Sequence, residues 1–457
     1  MPLVILMVSA LGLYYMTGSH AATPYATINA DQGTLACGAN AATDSTTSDG
    51  KKVVFGGSSC GGGGTSPACT DSTRYTSTTA AVSAVASAPA GAVICMAAGN
   101  YGSITLNGTH AANVTFEPDP AQDVNVAGKV TFSSINVDGT YITVHNFYVT
   151  GSINVGDGGG HDVIDHNAVG PTNGYGISVL PSTNDPSGMI SHVTISGNII
   201  HNTSSTGEGD ALRFDNWSDI VVTGNDIYNI AECAGDTCHT DTLQSYQAQN
   251  PTNGLTITKN YVHDTSSAQG LAFLKDGDIS NVTINDNLSL RMASNNPVTG
   301  VWVDENVTFN STQPTSDITY NANRTSGLTI TNNTYYGTSG SIVQSDGSAG
   351  TGSPTNLTLA LNHNIFDNFN VKTGSSGKAY ALAEDYDIFT GNNQYTFSNG
   401  PHSVSNSNPG FKCAPNCGIG ATGSSTQLAN DDYELSSNPN GIGIDWSPAD
   451  QHYGPTN

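Results

Sequence analysis

The sequence predicts an all-β chain, a right-handed parallel β-helix with three strands per coil and a short N-terminal capping helix. Three observations carry this. A turn asparagine recurs at Asn146, Asn167, Asn198, Asn225, Asn260, Asn287, Asn333, Asn364 and Asn393. A short strand-like run precedes each (VTIS, IVVT, LTIT, VTIN) and another follows it (IIHN, DIYN, YVHD). A third run per period comes from GISVL, ALRF, TLQSY, LAFLK, GVWVD and SIVQS. Short strands at a fixed period are the signature of a solenoid. Asparagine suits such corners because it tolerates left-handed backbone angles, and its amide can bond the asparagine of the next coil. The 46 residues from Asn287 to Asn333 are long enough to contain an extra coil.

The 457 residues hold 52 glycines, only 11% charged residues and a formal charge of −25. Repetition overrides the expectation of several domains for this length, because an array grows without a new core. The acidity suits a secreted protein and argues against nucleic acid and anionic membranes as partners, since a polyanion needs a basic face.

Residues 1–22 read as a secretory signal: an apolar run from Leu3 to Met16, then small residues to Ala22. A membrane anchor is the rival reading. No later stretch is long and apolar enough to span a bilayer, so the mature protein is expected outside the cell, as a monomer.

Residues 23–76 form a Gly/Ser/Thr-rich lead-in pinned by disulfides. Residues 77–400 are the β-helix with its cap, and 401–457 a closing segment. Eight cysteines fit an oxidising compartment. Cys233 with Cys238 and Cys413 with Cys417 read as local loops. The pairing of Cys37, Cys60, Cys69 and Cys95 is open, with Cys37–Cys60 and Cys69–Cys95 the preferred arrangement and zinc ligation the alternative. Thr78 to Ala88 is the helix candidate, placed to cover the first coil.

The functional candidates lie where three runs keep step. Asp210 and Asp241 are 31 residues apart; Leu212, Leu243 and Leu274 repeat that interval, as do Arg213, Gln244 and Lys275. Strand alternation then puts the leucines on one face and the polar trio on the other. Asp304 and Trp302 extend the row, and His239 stands near Asp241, outside the register of corner histidines such as His145, His166, His201, His263 and His363. Those corner histidines read as structural. Carboxylates, cations and an indole along a groove match an extended polysaccharide.

These segments (GEGDALRF, HTDTLQ, GLAFLKDG, NVTINDN) resemble the pectate-lyase-like superfamily of secreted bacterial β-helix proteins. The resemblance implies a lyase acting on a uronate-containing glycan. Asp210, Asp241 and Asp215 would hold Ca2+, and Lys275 or Arg213, with His239 as a further candidate, would act as base. Gln244, Trp302 and Asp304 would bind substrate. The Arg motif of pectate lyases is missing, as is the Asp-Asp, Gly-His and Arg-x-Lys set of polygalacturonases. A hydrolase pairing Asp210 with Asp241, or Asp241 with Asp304, remains an alternative. So do an epimerase and a glycan binder without chemistry.

Overall fold

The computed structural model describes residues 39–43, 51–55, 69–70, 72–120, 129–181, 188–203, 209–230, 240–245, 252–263, 269–274, 277–290, 299–304, 307–308, 328–336, 340–346, 357–367, 369–372, 380–390, 399–405, 409, 411–413, 432–435, 442–444 and 453–455. The chain divides into two compact units, Met1–Pro67 and Ala68–Asn457. In the first, Ala39–Thr43 and Lys51–Phe55 pair antiparallel. The signal segment and Cys37, Cys60, Cys233, Cys238 and Cys417 lie outside the described residues, as does the side chain of Cys413.

The second unit is a parallel β-helix. One sheet stacks eleven described strands in register, from Val93–Met96 to Tyr380–Asp385. The two shorter strands of each coil form the other long sheet. Inside, one aliphatic and aromatic column runs Ile94, Phe116, Val144, Ile164, Ile195, Val222, Ile257, Ile284, Ile330, Leu361. Its members are buried, each contributing about 1.5–3 kcal/mol by leaving water. Among the described helices none is long and apolar enough to cross a membrane.

Helix α1 (Thr78–Ser87) forms where expected, with Ala81 and Val85 buried in the main core. It shields apolar side chains that the first coil would otherwise leave in water. Residues 69–70 are tied to that coil by the Cys69–Cys95 disulfide and by Thr70 N–H donating to Val93 O at 2.9 Å. The tail does more than close the far end. Val404–Ser405 adds a strand to Ile388–Phe389, but Gly443 N–H then donates to His363 O and Gly454 N–H to Gly197 O. The tail therefore returns along the side of the stack.

The asparagine corner is a continuous buried ladder. Each amide nitrogen of Asn167, Asn198, Asn225, Asn260, Asn287 and Asn333 donates to the Oδ1 of the asparagine one coil on, at 2.9–3.1 Å. Asn364 donates to Asp387 Oδ1 at 3.0 Å, so an aspartate ends the ladder where Asn393 was expected. Asn393 itself lies outside the described residues. At the other end Phe147, not Asn146, occupies the ladder position, its N–H donating to Asn167 Oδ1. The left-handed residue is not the ladder asparagine but the one before it: Asn146, His166, Gly197, Gly224, Lys259, Asp286, Asn332, His363 and Tyr386. An extended ladder residue can reach along the stack because its predecessor takes the turn. Asn287 bonds Asn333 directly, so the 46-residue interval is one coil rather than two.

Two buried carboxyls make stability depend on pH. Asp162, fully buried, accepts N–H groups of Ile142 and Gly160, yet burial pushes it up to about 7. Asp387 is raised well above the carboxylate range, again chiefly by burial, and its Oδ2 has no hydrogen-bond partner. The folded state then binds more protons than the unfolded chain between the ordinary value of 3.8 and the raised one. Stability from Asp162 is present below about pH 4 and is lost as pH rises through about 7, by on the order of 4 kcal/mol, and Asp387 acts in the same direction. Asp387→Asn, which restores the amide of every other rung, is expected to stabilise the protein at pH 7 and to flatten the pH profile of urea unfolding midpoints. An unchanged profile would contradict this.

Candidate functional site

Strand Leu212–Phe214 lies beside Leu243–Ser245 with Leu212 opposite Leu243 and Arg213 opposite Gln244. Leu212, Phe214 and Leu243 belong to the core, so Arg213 and Gln244 stand on the other face. The expected adjacency of guanidinium and amide is therefore present. Asp210 and Asp241 sit at the strand starts, one coil apart, with Asp241 N–H donating to Asp210 Oδ1 at 2.8 Å.

The groups satisfy one another. Arg213 Nη1 is 3.3 Å from Asp210 Oδ2, and Nε is 3.2 Å from Asp215 Oδ1. Nη1 also donates to Gln244 Oε1, while Gln244 Nε2 donates to Asp241 Oδ2 at 2.9 Å. The Tyr175 ring centre lies 5.5 Å from the guanidinium carbon. Beneath, Trp217 Nε1 donates to Ser245 Oγ at 2.9 Å.

This corrects the expectation of an open polar groove here. Arg213 is 3% exposed, Gln244 4%, and Asp210 and Asp241 not at all. A guanidinium buried between two carboxylates is held protonated, so Arg213 is a poor base. The carboxylates do not fit a calcium site either. Asp210 offers both oxygens, and Asp241 and Asp215 one each, to N–H donors, and the charge among them is already the guanidinium. A hydrolytic pair of Asp210 with Asp241 meets the same obstacle, because substrate cannot reach fully buried groups.

The third rung shifts. Gln244 pairs with Phe273 and Ser245 with Leu274, so Lys275 is not in step with Gln244. From Gln244 to Phe273 is 29 residues rather than 31. A two-residue slip keeps the face but changes the occupant of the row. Lys275 and His239 lie outside the described residues. Trp302 pairs with Phe273 on one side and Gln344 on the other, and Gln344 with Lys372. Asp304 pairs with Asp346, two positions along.

The same row also runs toward the N-terminus. Ser178 pairs with Arg213, Asn154 with Ser178, Asn136 with Asn154 and Thr105 with Asn136. Asn154 Nδ2 donates to Asn136 Oδ1 at 2.9 Å, and Ser178 Oγ donates to Asn154 Oδ1 at 2.5 Å. At about 4.8 Å per coil the whole row, Thr105 to Lys372, is roughly 43 Å long. Phe273 was missed because the interval of 31 was carried on to Lys275 across a coil of 29, and Gln344 and Lys372 lie beyond the point to which the spacing was followed.

No family model matches the chain, and no curated protein matches it. Among solved structures the chain is similar to the crystal structure of pectate lyase Pel9A, with 13% identity and a TM-score of 0.38. The match covers 78% of this chain and 84% of that one. At that distance the likeness says nothing about chemistry, and the β-helix described above rests on its own strand pairings.

Proposed function

We propose that this is a secreted, polysaccharide-active protein that lays an extended, uronate-containing glycan along the row from Phe273 to Lys372 and cleaves it by β-elimination. The observation that supports this reading is the register. Phe273, Trp302, Gln344 and Lys372 occupy one position on four successive coils, continuing the row that the buried Arg213 and Gln244 begin. Residues of these types would offer aromatic faces to sugar rings and amide and ammonium groups to hydroxyls and carboxylates, repeated along one axis. A linear polymer is the ligand whose own repeat suits it.

In the elimination a base removes the proton at uronate C5, the C4=C5 double bond forms, and the glycosidic oxygen leaves with a proton. Arg213 is already neutralised by Asp210 and Asp215, so its part is to anchor the wall. The base falls to Lys275, immediately after strand Gln269–Leu274, with His239 the second candidate. No step is routed through calcium.

The test is a panel of acidic and neutral polysaccharides read by ultraviolet absorbance of an unsaturated product and by reducing ends. Elimination gives both signals and is lost in Lys275→Ala. Reducing ends without absorbance would replace the lyase by a hydrolase. A second reading, glycan binding without cleavage, is favoured by the burial of Asp210, Asp241 and Arg213; it predicts retention of glycan with neither signal.

A further inference from the structure

Away from that row, on the outer side of the first coils, three side chains converge at a corner. His145 ends strand Thr140–His145, and Asp165 ends Val163–Asp165 as its register partner. His166 follows in the left-handed corner position. Nδ1 of His145 is 3.0 Å and Nδ1 of His166 2.9 Å from the same oxygen, Asp165 Oδ2. One donor atom from each residue lies within 4.8 Å of the other two. We propose that His145, Asp165 and His166 bind one divalent transition-metal ion of the zinc class.

Four features favour a ligand here over a surface ion pair. The His166 Nδ1 atom is buried, and although close to Asp165 it has no aligned hydrogen bond. The Asp165 carboxylate is fixed from behind, its Oδ1 accepting from Ser196 Oγ at 2.6 Å, the kind of outer contact that orients a metal-binding carboxylate. On the next coil the matching corner residue is Gly197, where a Cβ would fall 2.7 Å from the His166 ring, so the chain leaves room for the imidazole. On the preceding coil Glu117 follows Phe116, the partner of Val144, and so flanks His145. Glu117 is 3% exposed, with no hydrogen-bond partner for its Oε1.

The donor set names the ion class. Two imidazole nitrogens and one carboxylate oxygen suit Zn2+, Co2+, Ni2+ or Cu2+, whereas Ca2+ and Mg2+ take oxygen ligands. Tetrahedral ligands about 2.0–2.2 Å from zinc stand roughly 3.3 Å apart, so each histidine needs to draw away from Asp165 Oδ2 by only a few tenths of an ångström, and the donor atoms all lie within 4.8 Å of one another. The three side chains are 23–28% exposed, which lets an ion enter from solvent. Three protein ligands leave a fourth position for water or a ligand atom. The sequence signal was the His-Asn dipeptide repeated at 145–146 and 166–167 with an acid before the second.

The full chain, stripped with chelator, is titrated with Zn2+ by calorimetry and with Co2+ by visible absorption. The expected result is one equivalent bound, with Co2+ bands of low-symmetry coordination. Affinity should fall at least tenfold in Asp165→Asn and in His145→Gln/His166→Gln, with circular dichroism unchanged. Gly197→Val, whose Cβ would fall within 3 Å of the His166 ring, its Nδ1 included, is expected to weaken binding as well. Absence of a Zn2+ equivalent in the wild type, or equal uptake by folded ligand variants, would overturn the site.

Discussion

Asn225→Ala is expected to destabilise the β-helix by about 3–5 kcal/mol, as large a loss as any single side chain outside the aromatic core should give. Asn225 Oδ1 receives both the backbone N–H and the amide of Asn198, each at 3.0 Å. Its own amide donates to Ile195 O, Thr223 O and Asn260 Oδ1. Truncation leaves donors and acceptors from both neighbouring coils buried without partners, each costing about 1–3 kcal/mol. Asp is the instructive second variant. It keeps the acceptor and loses the donors, so it should fall between Ala and wild type at low pH and approach Ala near neutrality. The check is urea unfolding followed by circular dichroism. Against a usual total of about 5–15 kcal/mol, a loss under 1 kcal/mol would mean that the ladder is ornamental.

Arg213→Met should cost a similar amount, about 3–5 kcal/mol, because it strands Asp210 and frees Gln244 inside a closed wall. Lys should not rescue it, since an ammonium cannot reach Asp210, Asp215 and Gln244 at once from a fixed fork. Pairing Arg213→Met with Asp210→Asn should recover much of the loss. That recovery distinguishes a buried charge network from a substrate-binding arginine, whose removal would leave unfolding unchanged and alter only glycan affinity.

Much of the fold was legible in the sequence, and for physical reasons. The corner asparagines carry it because only a residue with both donor and acceptor can extend a ladder coil over coil. Strands such as VTIS and IVVT alternate because one face is core. Helix α1 was legible from its Ala/Val face and the PAG that ends it. What was misread was chiefly register. Phe147 and Asp387 hold the two end positions of the ladder without being asparagine, so a search for one residue type puts Asn146 and Asn393 there instead. The left-handed corner residue varies from Gly to His to Lys, which hides it from composition. The site suffered from the same limit. Arg213 beside Gln244 followed from equal spacing, but coil lengths differ, and the slip to Phe273 depends on pairing that spacing alone does not fix. Burial of Arg213 was likewise invisible, because a strand pattern says which face a side chain takes and not what lies over it.

Everything proposed about the ligand rests on the four successive coils that carry Phe273, Trp302, Gln344 and Lys372 offering one continuous track to a linear sugar. Equilibrium binding of a uronate polysaccharide to wild type, Trp302→Ala and Lys372→Ala, with Asn253→Ala on the other long sheet as control, tests this directly. The account predicts that the two row variants each lose at least tenfold in affinity while the control binds like wild type. Undiminished binding by both row variants, or a wild type that retains no polysaccharide at all, would contradict it.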